Sequence, residues 1–206
     1  GVMVAVHVGL CSMTIALSGN EAQKEKYLPK LASGEFLGAY SLSEAGSGTD
    51  AAAMVAKATD DGDCYTLNGE KMWVTNGTTA DLFVLFAKVT DHPDYGKKSH
   101  GGVTCFIIEK GFEGFQIGKK EDKLGIRSSD TCTLILNNCK VPKENVLGEV
   151  GKGFPIAMNA LDNSRIGIAA QGLGIAQGAY ETALKYSKER ETFGKPIAAH
   201  QSISNY

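Results

Sequence analysis

Cysteine, histidine and tryptophan are sparse in this chain of 206 residues, with 5, 4 and 1 copies. The cysteines, Cys11, Cys64, Cys105, Cys132 and Cys139, are scattered and odd in number, with no C-x-x-C pair. That excludes a disulfide framework and a zinc site, and fits a reducing compartment. His7, His92, His100 and His200 stand apart from one another and from carboxylate clusters, so no metal-ligand spacing is present. Neither sign of charge dominates: 21 Lys plus Arg face 23 Asp plus Glu, a net charge of −2. Without a basic cluster there is no footprint for a phosphate backbone, which excludes a dedicated nucleic-acid binder. A long hydrophobic run is also missing. Residues 1–17 carry no charged side chain, but His7, Ser12 and Thr14 interrupt them, and neither a basic leader nor a small-residue cleavage site is present. They are read as a buried helix. With no initiator Met, the chain is expected to start within a longer protein.

Glycine is in excess: 25 residues, about 12% against an ordinary ~7%. With 43% hydrophobic and 21% charged residues the chain is otherwise an ordinary globular one, long enough to bury a substantial core.

Ser18 and Glu21 have the spacing of a capping box, and the pairs Tyr27/Leu31 and Leu28/Ala32 predict a helix over 21–32 ending at Gly34. From Glu35 to Leu147 short β-like runs take over: FLGAYSLS, MVAKAT, CYTL, KMWVT, LFVLFAKV, VTCFIIEK and TCTLIL. Asn68-Gly69 predicts a type I′ hairpin and Asp60–Asp63 a second turn. Residues 90–102 read as an exposed loop. Seven or so strands imply a sandwich or barrel. After Gly151-Lys152-Gly153 the helical period returns in Ala169, Leu173, Ala176, Tyr180 and Ala183. Gly167, Gly172, Gly174 and Gly178 interrupt that helix at a cost best offset where another backbone packs closely.

Four segments carry candidate chemistry. The strand ending at Ser43 runs into Glu44-Ala45-Gly46-Ser47-Gly48-Thr49, whose amides suit close approach to a phosphate or ring, although taken in isolation the composition favours a plain strand-ending turn. Gly46-x-Gly48-x-x-Ala51 matches a dinucleotide fingerprint, but too few residues follow for a crossover helix, and Ala45 excludes a G-x-S-x-G elbow. Trp73 and Thr75, at i and i+2 on a strand, offer a flat ring and a hydroxyl to one neighbour, while a lone Trp is more often core. Asp162 and Arg165 at i, i+3 pair in solvent by default; the alternative is that Arg165 holds a ligand phosphate or carboxylate. Arg190-Glu191-Thr192-Phe193-Gly194-Lys195-Pro196, with His200-Gln201, reads as a turn between helices.

Taken in order, YSLSEAGSGTD, KMWVTNG, KEDKLGIRSSDT, VPKENVLGE, GKGFPIAMNALDNSRIGIAAQGLGIAQ and RETFGKPIAAHQ resemble the flavin-dependent acyl-CoA dehydrogenases over most of the chain, nearest the short-chain (butyryl-CoA) branch. The resemblance implies an α+β fold. A central β-barrel or sandwich (38–148) would be flanked by the end of an amino-terminal helical domain (1–37) and the start of a carboxy-terminal helical bundle (149–206). It implies FAD between the β-domain and the bundle, met by Tyr40, Leu42, Ser43, Gly48, Thr49, Trp73, Val74 and Thr75. Arg190, Phe193 and Gln201 would reach the FAD of a neighbouring subunit. Thr49 and the set Asp162, Asn163, Ser164 and Arg165 would meet the acyl-CoA. Ala45 and Thr49 replace the Pro and Ser frequent in the family, without removing an amide or hydroxyl.

The family's reaction, oxidation of an acyl-CoA to the trans-2-enoyl-CoA, needs a carboxylate to take the α-proton. That glutamate is expected beyond Tyr206. In one branch it sits at the position of Ser164, whose hydroxyl cannot replace it. The resemblance further implies an electron-transfer flavoprotein as electron acceptor, a homotetramer, and a bacterial cytoplasm or mitochondrial matrix, with no metal, nucleic acid or integral membrane segment. An acyl-CoA oxidase-like or nitroalkane-oxidising flavoenzyme of the same fold, and a non-catalytic scaffold, are the alternatives.

Overall fold

The computed structural model describes residues 1–205. It forms two compact units that divide at Arg165 and Ile166.

In the first unit, Val2–Val4, Ala5–Ser12 and Met13–Ser18 run on as one helix, α1. Its middle stretch is widely wound, so that the Met13 N–H reaches back five residues to the Val8 carbonyl. Helix α2 spans Glu21–Ser33 and ends at Gly34 in the left-handed region, as its sequence predicts. Its cap lies two residues beyond the expected Ser18/Glu21 box: Asn20 Oδ1 accepts from the Gln23 N–H (2.9 Å) and Gln23 Oε1 from the Asn20 N–H (3.1 Å). Ser18 is still inside α1, so it cannot adopt the extended backbone a cap requires. Gln23 Nε2 also donates to the carbonyls of Glu144 (2.7 Å) and Val146 (2.8 Å), which fastens the helix start to the β-domain.

Eight strands form one sheet: β1 Gly38–Ser41, β2 Lys57–Asp60, β3 Cys64–Thr75, β4 Leu82–Val89, β5 Val103–Glu109, β6 Phe115–Lys120, β7 Thr131–Pro142 and β8 Val146–Leu147. Their order is β6-β7-β3-β2-β4-β5-β8, with β1 parallel to the first half of β4. The run LFVLFAKV becomes β4, buried on both faces. Phe83, Leu85, Ala87 and Val89 enter one core with Tyr65, Leu67, Cys132 and Leu134. Leu82, Val84 and Phe86 enter the other, with Ile15 of α1, Tyr27 and Leu31 of α2, and Ala157 and Ala160 from the third helix. Strand β5 alternates in the same way, Phe106 and Ile108 against Cys105 and Ile107. An α+β architecture follows, with helices covering one face of the sheet and strands the other.

Asn68-Gly69 is not a turn. Cys64–Thr75 is one strand with a register shift between Leu67 and Gly69. Gly69, at φ +146°, is needed because a Cβ there would lie 2.8 Å from the Ala56 Cα. Asn68 instead faces Asn138 across β7, its Oδ1 accepting from the Asn138 N–H at 2.9 Å. The Asp60–Asp63 turn does join β2 to β3, with Gly62 at φ +91°. Strand β6 was not apparent from the sequence, because Gln116, Lys119 and Lys120 break its apolar pattern.

The third helix, α3, spans Gly153–Glu189 and continues into the second unit. In that unit nothing among the described residues, apart from the neighbouring turns of the same helix, lies within 4 Å of a Cβ built on Gly167, Gly172, Gly174 or Gly178, so these residues supply no second backbone packed against them. Leu173, Ile175 and Tyr180 are exposed. Beyond α3, Glu191–Thr192 (β9) and Lys195–Pro196 (β10) pair around Phe193 (φ +53°) and Gly194 (φ +72°), both left-handed, as a type I′ turn requires. A short helix, α4, covers Gln201–Ser204. Among the described residues no helix is long and apolar enough to cross a membrane, and no cluster of three His, Cys, Asp or Glu side chains could hold a metal.

Candidate functional site

Strand β1 delivers the Leu42–Thr49 loop to the end of the sheet, with Tyr40 opposite Val84 and Ser41 opposite Leu85. The Tyr40 ring is buried against Phe86 (centroids 5.3 Å apart), and its hydroxyl donates to the Ala157 carbonyl at 3.4 Å. Burial pushes its phenol well above the usual range, so it stays neutral. Glu44 and Ser47 exchange both backbone hydrogen bonds (2.9 and 3.1 Å), closing a tight turn around Ala45 and Gly46. Gly46, Gly48 and Thr49 are exposed, and the space above the two glycines is open.

A buried ion pair lies beneath this turn. Glu44 Oε1 accepts from Lys71 Nζ at 2.7 Å, and both side chains are out of water. The Glu44 carboxylate also accepts the N–H groups of Val55 (2.6 Å) and Ala56 (3.2 Å), while Lys71 Nζ donates a second bond to the Leu42 carbonyl at 3.1 Å. Desolvation lowers the Lys71 pKa, and the adjacent carboxylate offsets it only in part. Sequence reasoning missed this pair; a charged residue in an otherwise strand-like KMWVT run was its only signal.

Just beyond Lys71, β3 bulges: Lys71 pairs with Leu134, but Val74 already pairs with Cys132. The extra residue puts Trp73 at φ +55°, a conformation that a bulky side chain rarely takes, and leaves it 59% exposed. Val74 turns into the core at 1% exposure, and Thr75 is half-buried. The following Asn76, also left-handed at φ +66°, sends Nδ2 to the carbonyls of Met3 and Gly38 (both 3.1 Å). One buried amide thus ties the bulge to α1 and to β1. Asp130 then fixes the next turn by accepting from the Thr78 N–H (2.8 Å), Thr78 Oγ1 (2.7 Å) and Thr79 Oγ1 (3.2 Å). Burial raises its pKa, but these three bonds outweigh that and hold the carboxyl below its usual value.

The loop and the bulge are therefore neighbours: the Ser43 carbonyl accepts the Met72 N–H at 2.9 Å. Asp162–Arg165 are not hydrogen-bonded to either of them among the described residues. Arg165 Nε pairs with Asp162 Oδ1 at 3.3 Å, both 75% exposed, which is the default solvent pairing. Asn163 bonds back to the Asn159 carbonyl, and Ser164, beside Gly9 of α1, to that of Leu161 (both 2.9 Å). In the second unit the Arg190 carbonyl accepts from the Ile197 N–H (2.8 Å), Phe193 stands 96% exposed at the hairpin tip, and exposed Gln201 opens α4.

A cavity of 440 Å³ was also missed by sequence reasoning. Val55, Lys57, Lys88, Tyr95, Lys97 and Lys98 line it, in part from the loop at 90–102. Lys57 and Lys88 are register partners across β2 and β4, and only Lys98 has an acidic partner among the described residues, Asp94 at 3.4 Å. Such a basic concavity suits an anion.

Two buried oxygens next to the loop and bulge, Ser41 Oγ and Asn76 Oδ1, lack a hydrogen-bond partner among the described residues. Beside them, the exposed indole and the open glycine turn form a surface suited to a flat ring system.

Comparison with known proteins places the chain in a family. Models of the acyl-CoA dehydrogenase N-terminal, middle and C-terminal domains match residues 1–35, 39–139 and 151–206. A short-chain-specific acyl-CoA dehydrogenase of Clostridium acetobutylicum is 50% identical over 99% of this chain and 52% of its own length. Among solved structures, a chain from the electron transferring flavoprotein of Acidaminococcus fermentans superposes with a TM-score of 0.93 at 48% identity, over 99% of this chain and 52% of that one. An acyl-CoA dehydrogenase from Bacillus anthracis complexed with FAD does so with 0.90 at 43% identity, over 98% and 34%. The chain spans about half the length of the curated relatives it matches. It belongs to the acyl-CoA dehydrogenase family.

Proposed function

We propose that the protein carrying this chain is an FAD-dependent dehydrogenase of short-chain acyl-CoA thioesters, producing the trans-2-enoyl-CoA, and that this chain supplies much of the flavin-binding surface. The observation that carries the reading is Trp73, held outward on a left-handed backbone beside the open Leu42–Thr49 turn. When bound, FAD supplies the acceptor for the hydride leaving the substrate Cβ.

The chain's own part is binding and orientation. Trp73 offers its indole face to the ring, Thr75 a hydroxyl, and Ser43, Gly48 and Thr49 the adjoining loop, with Tyr40 and Leu42 packed into the core behind it as its support. Arg190, Phe193 and Gln201 are assigned to the FAD of a second subunit, consistent with a homotetramer. Thr49, Asp162, Asn163, Ser164 and Arg165 are assigned to the acyl-CoA. The lysine-lined cavity adjoining Val55 suits the polyphosphate of such a substrate. No residue here is assigned as the base. Ser164 carries a hydroxyl that does not ionise near neutrality, and the Glu44 carboxylate is engaged by three donors. We assign the base to a glutamate outside these residues, the acceptor of the electrons to an electron-transfer flavoprotein, and the compartment to a bacterial cytoplasm or mitochondrial matrix, where the five free cysteines stay reduced.

The test is a visible spectrum of the desalted chain, its mass verified, before and after anaerobic butyryl-CoA. A flavin band that does not bleach agrees with the assignment. Bleaching would place the base within these residues, the presence of a flavin band tells whether these residues alone form a cofactor site, and a full-length protein that takes up no flavin would remove the reading of Trp73 and its loop.

A further inference from the structure

We propose that Glu44 and Lys71 act as a positioning pair, setting the spacing between the Leu42–Thr49 loop and the Trp73 bulge and so the place where the flavin ring is received. This rests on the flavin reading above. The pair joins those two segments directly: Glu44 lies within the turn, and Lys71 is the last residue of β3 in regular register before the bulge. The remaining hydrogen bonds of the two partners go to the chain on either side of the turn. Glu44 takes the Val55 and Ala56 N–H groups and so fixes where the chain leaves the turn. Lys71 takes the Leu42 carbonyl and fixes where it enters. The Ser43 carbonyl, between them, is then in place for the Met72 N–H, one residue from Trp73.

A merely space-filling role explains this poorly. Charges removed from water on both sides are a costly way to fill a core, and well-packed apolar residues of the same volume serve stability as well or better. What apolar residues would lack is direction. An ammonium aimed at one carboxylate and one carbonyl sets the separation of two backbones to within a few tenths of an ångström.

The test compares the full-length protein that carries this chain with its Lys71→Met, Glu44→Gln and, as a control, Tyr27→Phe variants, the Tyr27 hydroxyl lying in the α2–β5 contact away from the loop. Backbone amide exchange in the absence of flavin reads the loop itself: Val55 and Ala56 should exchange at least tenfold faster in Glu44→Gln, with β5 unchanged. FAD titration and the visible spectrum read the ring: each pair variant should bind FAD at least tenfold more weakly and shift the flavin band, whereas Tyr27→Phe, at an equal loss of Tm, should change neither. If Lys71→Met does not fold, Glu44→Gln, which keeps the size of the side chain but loses its charge and one of the two oxygens that accept the Val55 and Ala56 amides, decides alone. Wild-type FAD affinity and spectrum in the pair variants would overturn the proposal while leaving the flavin reading intact. Failure of the unsubstituted full-length protein that carries this chain to bind FAD would overturn both.

Discussion

Tyr27 donates its hydroxyl to Glu109 Oε1 at 2.7 Å, joining α2 to β5 through a carboxylate that also holds Lys26 at 2.8 Å. The same phenol oxygen accepts from Asn145 Nδ2 at 3.1 Å, so one buried hydroxyl connects helix, strand and the turn before β8. Replacing Tyr27 by Phe keeps the ring and deletes both bonds. The expected loss is about 1–3 kcal/mol, because Asn145 keeps only its bond to the Ile107 carbonyl. Urea unfolding with an unchanged m-value would show it; a loss within 0.5 kcal/mol would mean that water replaces the hydroxyl.

Acid should act on this protein partly through Asp130. Its carboxyl is held below its ordinary value in the folded chain, so the stability it contributes is fully present above the unfolded value, about 3.9. That contribution is lost as pH falls through the lowered native value. The stability gap between the wild type and Asp130→Asn should therefore be constant from pH 5 to pH 7 and shrink below about pH 4. Thermal melts across that range measure it. A gap that is the same at pH 3 and pH 6 would assign the effect to lost hydrogen bonds alone.

Gly69 should tolerate no side chain. At φ +146°, with the Ala56 Cα 2.8 Å from a built Cβ, Gly69→Ala meets a strained backbone and a backbone clash together. A loss of about 2 kcal/mol or more is expected, where a solvent-facing hairpin glycine would cost about 1. Chemical denaturation separates these values.

That glycine also shows where sequence reading stopped. Asn-Gly between two apolar runs is a strong hairpin signal, yet the identity of the residue that Gly69 touches, Ala56, lies 13 residues upstream and has no local trace. Strands β4 and β5 were legible because their apolar runs are unbroken, and α2 because Tyr27 and Leu31 share a face. The turn at Gly46–Gly48 and the tryptophan at the end of a strand were visible as composition. What holds them was not: Glu44 and Lys71 are 27 residues apart, and nothing local marks a lysine that will be buried. The lysine cavity escaped for a similar reason, since Lys57 and Lys88 meet only once β2 pairs with β4.

Trp73 should show a conflict between stability and binding. An indole in the left-handed region costs on the order of 1–3 kcal/mol, and at 59% exposure it recovers little of that by burial. Asparagine adopts the same backbone readily. Trp73→Asn is therefore expected to stabilise the flavin-free chain by about 1 kcal/mol while reducing FAD affinity at least tenfold, because the ring loses its stacking face. Urea unfolding without ligand and FAD titration, run on the same preparations, measure the two effects separately. A variant that is less stable and binds as before would show that the strain at Trp73 belongs to folding, and the bulge would lose its assignment as the flavin's platform.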